Sequence, residues 1–266
     1  MKYKFSLGVF INIKFGTLAE VEEEIKMLDS LEDLEHIEIW READYLDPEA
    51  DKLLRSLKDK YRLILHAPFI NITMASNHEL VNRASVETMQ KYYDWGVEIG
   101  AEVITLHGGH KPFFQSSEVD IENIGKTLAN LKTTEKLQAT LEHMPLGKHF
   151  STGQNSLMDI NDLEKAVNLL PNWGFTLDIG HVLQNEEDWM SWVGNHVDRI
   201  YDIHLHDAFW GGKAHLPLGT ADLKCKDFFQ FLADKGYDKF VSLEVVGREE
   251  TIQSWQYLRD NDLLKS

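Results

Sequence analysis

The 266-residue chain has a single cysteine, Cys225. No intramolecular disulfide can form, and a metal cluster held by several thiolates is excluded. Positive charge is also scarce. Lys and Arg number 27 against 44 Asp and Glu, a formal charge of −17. The general basic footprint of a nucleic-acid binder is therefore missing, although a local patch or bound cations can offset acidic residues. No run is long and apolar enough to be a transmembrane helix. The opening MKYKFSLGVFINIKFG has a short apolar run but no small-residue cleavage site, so it reads as a first strand rather than a signal peptide. A reducing cytoplasm is the compartment these absences imply. Low-complexity tracts and Pro- or Ser-rich linkers are absent as well, so one domain is expected over residues 1–266.

What is present is a core-forming composition, 43% hydrophobic and 27% charged. Short apolar runs alternate with longer amphipathic stretches. The runs predict strands at residues 4–11, 36–40, 61–66, 102–107, 138–142, 174–178, 200–206 and 239–245. The stretches between predict helices at 17–29, 48–60, 77–99, 118–135, 160–170, 186–196, 223–235 and 249–260. Asp47 before Pro48 is a helix-start signal, and Gly100 and Gly236 stand where helices should stop. Eight strands each followed by a helix is the count of a closed parallel (β/α)8 TIM barrel. An open doubly wound sheet is the alternative, but the Gly-rich phosphate fingerprint that usually follows its first strand is not there.

Barrel strands alternate between the bore and the helix layer. On that parity LILH ends in His66, VITLHGG carries His107, ATLEHMP Glu142, FTLDIGH Asp178, YDIHLH His204 and VSLEVV Glu244. The same-face neighbours two residues earlier are Ile64, Thr105, Thr140, Thr176, Asp202 and Ser242, five of them small or polar. Six consecutive strands thus aim one ligand-type side chain each at the mouth where barrel enzymes keep their active sites. His181 follows three residues after Asp178, and His215 lies on the loop after the seventh strand. Imidazoles and carboxylates together suit Zn, Mn, Fe or Co. Carboxylates crowded without a cation would repel one another, so a bound divalent metal is the simpler reading.

Each residue alone has a plainer account. A strand-end histidine is commonly a hydrogen-bonding group, and a strand-end Asp or Glu can cap the next helix. His36, His78, His149 and His196 read as surface or loop residues. His110 and His143 line the pocket or its rim. His206 shares the parity of His204 farther out, and is a ligand, an orienting residue or a substrate contact. Trp210, beside Gly211 and Gly212, reads either as a substrate cover on a hinged loop or as an anchor packed on the rim. Phe69 and Ile70 after His66 read as loop packing, with wedging between bases the alternative.

The motifs LHAPFIN, LHGGH, LEHMP, LDIGH, HLHDA with AHLPLGTAD, and LEV resemble the xylose-isomerase-like barrel superfamily. That group includes sugar and sugar-phosphate isomerases and epimerases, and the endonuclease IV branch. Resemblance to the first branch implies one divalent metal, often Mn, held by Glu142, Asp178, His204 and Glu244. It also implies that the two glutamates act on opposite faces of a substrate carbon and that His181 contacts the substrate. Resemblance to the nuclease branch implies a three-zinc cluster that also draws on His66, His107, His181 and His215. The chain departs from that pattern at Lys213, where the branch has an Asp two residues before the last His. One or two metals, Mn or Zn, are therefore expected, with Lys213 left to meet a substrate phosphate or carboxylate.

The leading expectation is a metal-dependent sugar or sugar-phosphate isomerase or epimerase that abstracts a proton beside a metal-polarised carbonyl, with Glu142 and Glu244 catalytic. Its substrate contacts would be His181, His206, Lys213 and Trp210. The alternatives are an endonuclease IV-like phosphodiester hydrolase and a non-catalytic metal- or ligand-binding barrel. The expected partner is a small carbohydrate or phosphorylated molecule, with no membrane and nucleic acid disfavoured by charge. Residues 71–77, 110–117 and 145–159 would shape specificity.

Overall fold

A computed structural model describes residues 3–111, 114–146 and 154–265. The eight strands are β1 (Ser6–Ile13), β2 (His36–Arg41), β3 (Arg62–His66), β4 (Val103–Leu106), β5 (Gln138–Glu142), β6 (Gly174–Asp178), β7 (Ile200–Leu205) and β8 (Phe240–Leu243). Each pairs in parallel with its sequence neighbours, and β8 pairs with β1, closing the barrel. The nine helices among the described residues are α1 (Leu18–Leu28), α2 (Pro48–Ser56), α3 (Glu79–Ile99), α4 (Ser117–Leu128), α5 (Ile160–Asn168), α6 (Ile179–Gln184), α7 (Trp189–His196), α8 (Cys225–Asp234) and α9 (Arg248–Asp260).

Strand parity explains the layers. Leu7, Val9, Ile11 and Ile13 of β1 join the large apolar cluster, which also holds the buried faces of the helices. The alternate residues fill the bore. Near its base Ile64, Val103 and Phe240 form a small apolar plug. Above it the bore turns polar. The hydroxyls of Thr105, Thr140 and Thr176 lie 2.7–3.5 Å apart in one hydrogen-bonded triangle. His36 is a correction to its reading as a surface residue. It is fully buried in the bore, between Ser6 Oγ at 2.9 Å and Ser242 Oγ at 3.1 Å. Gly8, its neighbour across the β1–β2 ladder, leaves the space, since a Cβ there would overlap the His36 ring and carbonyl.

Local chemistry sets where elements begin and end. Thr17 and Glu20 cap α1 reciprocally, and Asp47 caps α2 ahead of Pro48. Helix α4 stops at Leu128, seven residues short of the 135 expected, where the Asn130 side chain takes up the Lys126 and Thr127 carbonyls. Helix α6 is absent from the sequence reading. It starts directly off β6, with Asp178 as its cap. A two-residue antiparallel ribbon, His110–Lys111 with Gln154–Asn155, crosses the loops after β4 and β5.

Candidate metal centre

All six strand-end residues arrive at one mouth. His66, Glu142 and Asp178 end their strands, His204 sits one residue before the end of β7, and His107 and Glu244 lie one residue past β4 and β8. With His181 and His215 they form overlapping groups whose ligand atoms lie within 4.8 Å of one another. Glu142, Asp178, His204 and Glu244 make the central group. His66, His107 and Glu142 make a second, and Asp178, His181, His206 and His215 a third. Glu142 and Asp178 are each shared by two groups, so each carboxylate is placed to bridge.

Hydrogen bonds assign the imidazole faces. His66 Nδ1 donates to Ala67 O at 2.9 Å, and His181 Nδ1 to His143 O at 2.9 Å. His215 Nδ1 lies 3.4 Å from Glu244 O. All three rings thereby turn an Nε2 lone pair inward. His181 Nε2 and His215 Nε2 are 3.1 Å apart, as are His66 Nε2 and His107 Nε2. The facing lone pairs of His181 and His215 need a proton or a cation between them, while His107 Nε2 also lies 2.7 Å from Glu142 Oε2. His204 is reversed. Its Nε2 points down the bore and its Nδ1 lies 2.9 Å from Glu244 Oε2 and 3.4 Å from Glu142 Oε1. Neither His204 Nδ1 nor Glu244 Oε2 has an acceptable hydrogen bond, although both atoms are buried. Orphaned buried donors and acceptors are costly, and a divalent cation would satisfy both at once. The residues therefore fit a metal.

The electrostatics agree with ligand-ready groups. Burial pulls His181 down to about 4, and lowers His215 with His206 adding to the effect. Both are neutral imidazoles at neutral pH, the form that binds metal. Burial alone would raise Glu142, but His107 and His204 hold it well below the usual carboxylate range. Asp178 is likewise lowered against its burial, by His181 and His206. For His204 burial acts downward, yet Glu38, Glu244 and Glu142 outweigh it and lift the ring well above 6.5. An imidazole drawn that strongly by carboxylates marks where positive charge is wanted.

His206 is fully buried. Its Nδ1 accepts the His215 backbone N–H at 2.9 Å, so Nε2 carries the proton and donates to Asp178, 2.8 Å from Oδ1. Of the three roles open to it in sequence, this geometry is that of a residue orienting Asp178. Gly180 makes the slot, because a Cβ there would overlap the His206 ring. Lys213 is exposed, and among the described residues only its backbone carbonyl is engaged, by Phe209 N. Trp210 is 52% exposed and is tied by its backbone N–H to Asp222. Neither lines the cavity beside the metal groups.

That cavity has a volume of about 540 Å³ and opens against Glu244 and His215. Phe10, Asn12, Trp40 and Phe69 supply another wall. Trp40 and Phe69 stack with centroids 5.2 Å apart, and Phe69 also stacks on His107. Phe69 is thus a wall of the site rather than mere loop filling, while Ile70 is half exposed. The sequence reading missed Asn12, Trp40 and, below the ligands, Glu38. The same parity carried into HIEIWR would have placed His36, Glu38 and Trp40 in the bore. His143 is buried behind the site, 2.8 Å from Glu187, and His196 pairs with Glu164 at 3.3 Å. His78 is exposed at the start of α3, and His149 lies outside the described residues, as do parts of the loops 110–117 and 145–159.

The chain is thus a closed parallel barrel with groups of imidazoles and carboxylates at its C-terminal mouth that could hold a metal ion. The family model of xylose isomerase-like TIM barrels matches residues 28–261, and the chain belongs to that family. It is 26% identical to the uncharacterised protein MJ1311 of Methanocaldococcus jannaschii, over 94% of this chain and 89% of that one. Among solved structures, a D-tagatose 3-epimerase-like protein superposes with a TM-score of 0.79 at 24% identity, over 96% of this chain and 98% of the other. Endonuclease IV from Thermus thermophilus superposes with a TM-score of 0.68 at 18% identity, over 95% and 98%. At these identities the likeness is one of fold. Among the described residues no helix is long and apolar enough to cross a membrane.

Proposed function

We propose that this chain is a divalent-metal-dependent carbohydrate isomerase or epimerase. The observation that carries the reading is the convergence of Glu142 and Glu244 on His204 Nδ1, at 3.4 and 2.9 Å, with Glu244 facing the cavity. Glu142, Asp178, His204 and Glu244 would hold the ion. Bound there, a Mn or Zn ion supplies Lewis-acid polarisation of a substrate carbonyl and its neighbouring hydroxyl. Glu244 stands at the cavity wall, 17% exposed, where it can take a proton from the adjacent carbon. Glu142, whose Oε1 lies 3.4 Å from the same His204 nitrogen, would be the second acid–base group, reaching the substrate only through the space the ion and Glu244 share. Trp40 and Phe69 offer an apolar face to a sugar ring, and Asn12 an amide to its hydroxyls. Glu20, Glu24 and Glu244 outnumber Lys14 and Arg248 along the cavity, and Arg248 is already paired with Glu24 at 3.0 Å. That balance favours a neutral sugar over a phosphorylated one.

A second reading, an endonuclease IV-like phosphodiester hydrolase, is favoured by His66 and His107 on the far oxygen of Glu142. An isomerase needs only the central group, whereas shared carboxylates between groups suit several cations acting on one phosphodiester. The deciding experiment combines metal analysis with two assays. Incorporation of solvent deuterium into a ketose from a panel of free sugars, with one or two ions per chain, supports the isomerase. No exchange across the panel, three ions per chain and cleavage of an abasic-site oligonucleotide would replace it with the hydrolase.

A further inference from the structure

The outer nitrogens of His66 and His215 face main-chain carbonyls, and that of His181 faces the His143 carbonyl with Asp178 Oδ2 at 3.1 Å beside it, whereas that of His204 faces carboxylates alone. Its Nε2 lies 3.2 Å from Glu38 Oε1 and 3.4 Å from Asp202 Oδ2. All three side chains are fully buried. Asp202 is itself fixed, by the Ile203 N–H at 2.8 Å and the Ser242 hydroxyl at 3.1 Å. Ser242 continues to His36, and His36 to Ser6, so the contacts run down the bore. Two carboxylates buried under a ring cost stability that apolar filling would not. Packing does not require them there, since β2 and β7 neighbours in the same bore include Ile64 and Phe240. The arrangement has a use only through His204.

We propose that Glu38 and Asp202 are positioning residues that hold His204 as its Nε2–H tautomer, so that Nδ1 is the atom presented to the central cation. The inference rests on the metal reading above. An N–H donated to a carboxylate makes the imidazole a stronger ligand than one donated to a neutral carbonyl. The central ion is then held by a more basic ring than those of His66 or His215, whose outer nitrogens face main-chain carbonyls. Glu38 Oε1 makes this contact, and among the described residues Glu38 Oε2 has no hydrogen-bond partner.

The test uses the full chain labelled with ¹⁵N-histidine, with long-range ¹H–¹⁵N spectra recorded after chelation and after zinc loading. Metal-free wild type should show His204 protonated on both nitrogens, as its carboxylate neighbours require, and zinc-loaded wild type should show Nε2 protonated with Nδ1 bound. The double variant Glu38→Leu, Asp202→Leu should lose that Nε2–H preference with zinc loaded, and bind zinc at the central position about 10–100-fold more weakly. Glu38→Gln keeps an accepting oxygen but not the charge, and should retain the zinc-loaded tautomer with a smaller loss of affinity. If the double variant does not fold, Glu38→Leu alone and Asp202→Leu alone give the same comparison. A folded variant with unchanged tautomer and unchanged zinc affinity overturns the inference. Wild type that binds no zinc at His204 overturns the metal reading instead, and the spectra tell the two failures apart.

Discussion

Glu244 and Glu142 differ in what they can reach. Glu244 borders the cavity, whereas Glu142 is 2% exposed and wrapped by His66, His107 and His204. Glu244→Gln should therefore lower kcat for solvent exchange by about 10²–10⁴-fold, the range for losing an acid–base group. Metal content measured on the same sample separates lost proton transfer from a lost ligand. Trp40→Ala should act differently. It removes an aromatic wall of the cavity that, in the proposed reaction, would meet the sugar before and during reaction alike, so KM should rise about tenfold with kcat nearly constant. Steady-state kinetics on the same sugar check the split. Most ligand residues are legible in sequence because strand parity is a hard rule: a side chain two positions from a bore-facing Thr must also face the bore. Glu38 is reached only when that parity is carried into HIEIWR, below the strand end, and Asn12 lies on a strand whose bore face shows no imidazole or carboxylate to draw attention to it. The role of His206 is undecidable from spacing, because only the His215 N–H on its Nδ1 fixes which nitrogen bears the proton.

Elements position these groups through their ends. Helix α6 is six residues long and begins inside the ligand motif itself, where Asp178 Oδ1 accepts the His181 N–H at 2.8 Å. One carboxylate thus caps a helix and points at the metal groups, so capping and ligation are not competing accounts of Asp178. So short a helix has no amphipathic period to read, which is why the sequence shows only its strand. Gly180 within it is the most sensitive position. Gly180→Ala forces a Cβ into the His206 ring, and should cost about 1–3 kcal/mol. Urea unfolding of metal-free protein measures that cost. The ribbon side of the mouth carries a pH dependence of its own. Burial raises Asp120 of α4 to about 6, against its bond to Ser156 Oγ at 3.0 Å. Between the unfolded value of 3.8 and about 6 the folded chain holds a proton that the unfolded chain releases. This contribution is thus fully present below pH 3.8 and fades as pH rises through 6. Asp120→Asn should flatten that fall, seen as a smaller loss of stability from about pH 4 to 7 than in wild type.

The whole molecule gathers its negative charge toward a use. A net charge of −17 disfavours compactness by self-repulsion, and ions at the mouth would relieve part of it. Chelation should therefore lower Tm. For an ion present at a hundred times its Kd, the loss is about 2.7 kcal/mol, or about 5–10 °C for a chain of this size. Calorimetry with and without chelator measures it, and re-addition of Mn or Zn should restore the original Tm. The barrel itself is readable because eight apolar runs recur with helical stretches between them, and closure follows from that count. Helix ends such as that of α4 are not, because Asn130 rather than a glycine or proline stops the helix. The ring of ligands is incomplete in one sector. β3 to β8 carry it, while β1 and β2 contribute Phe10, Asn12 and Trp40 to the cavity wall. The ends of these two strands can thereby vary in polarity without removing a ligand, provided that Glu38 below them is kept and the rings of His66 and His204 stay packed. In a lineage of such barrels, a new substrate can be acquired by rewriting the first two strand ends, with the ion-holding remainder inherited intact.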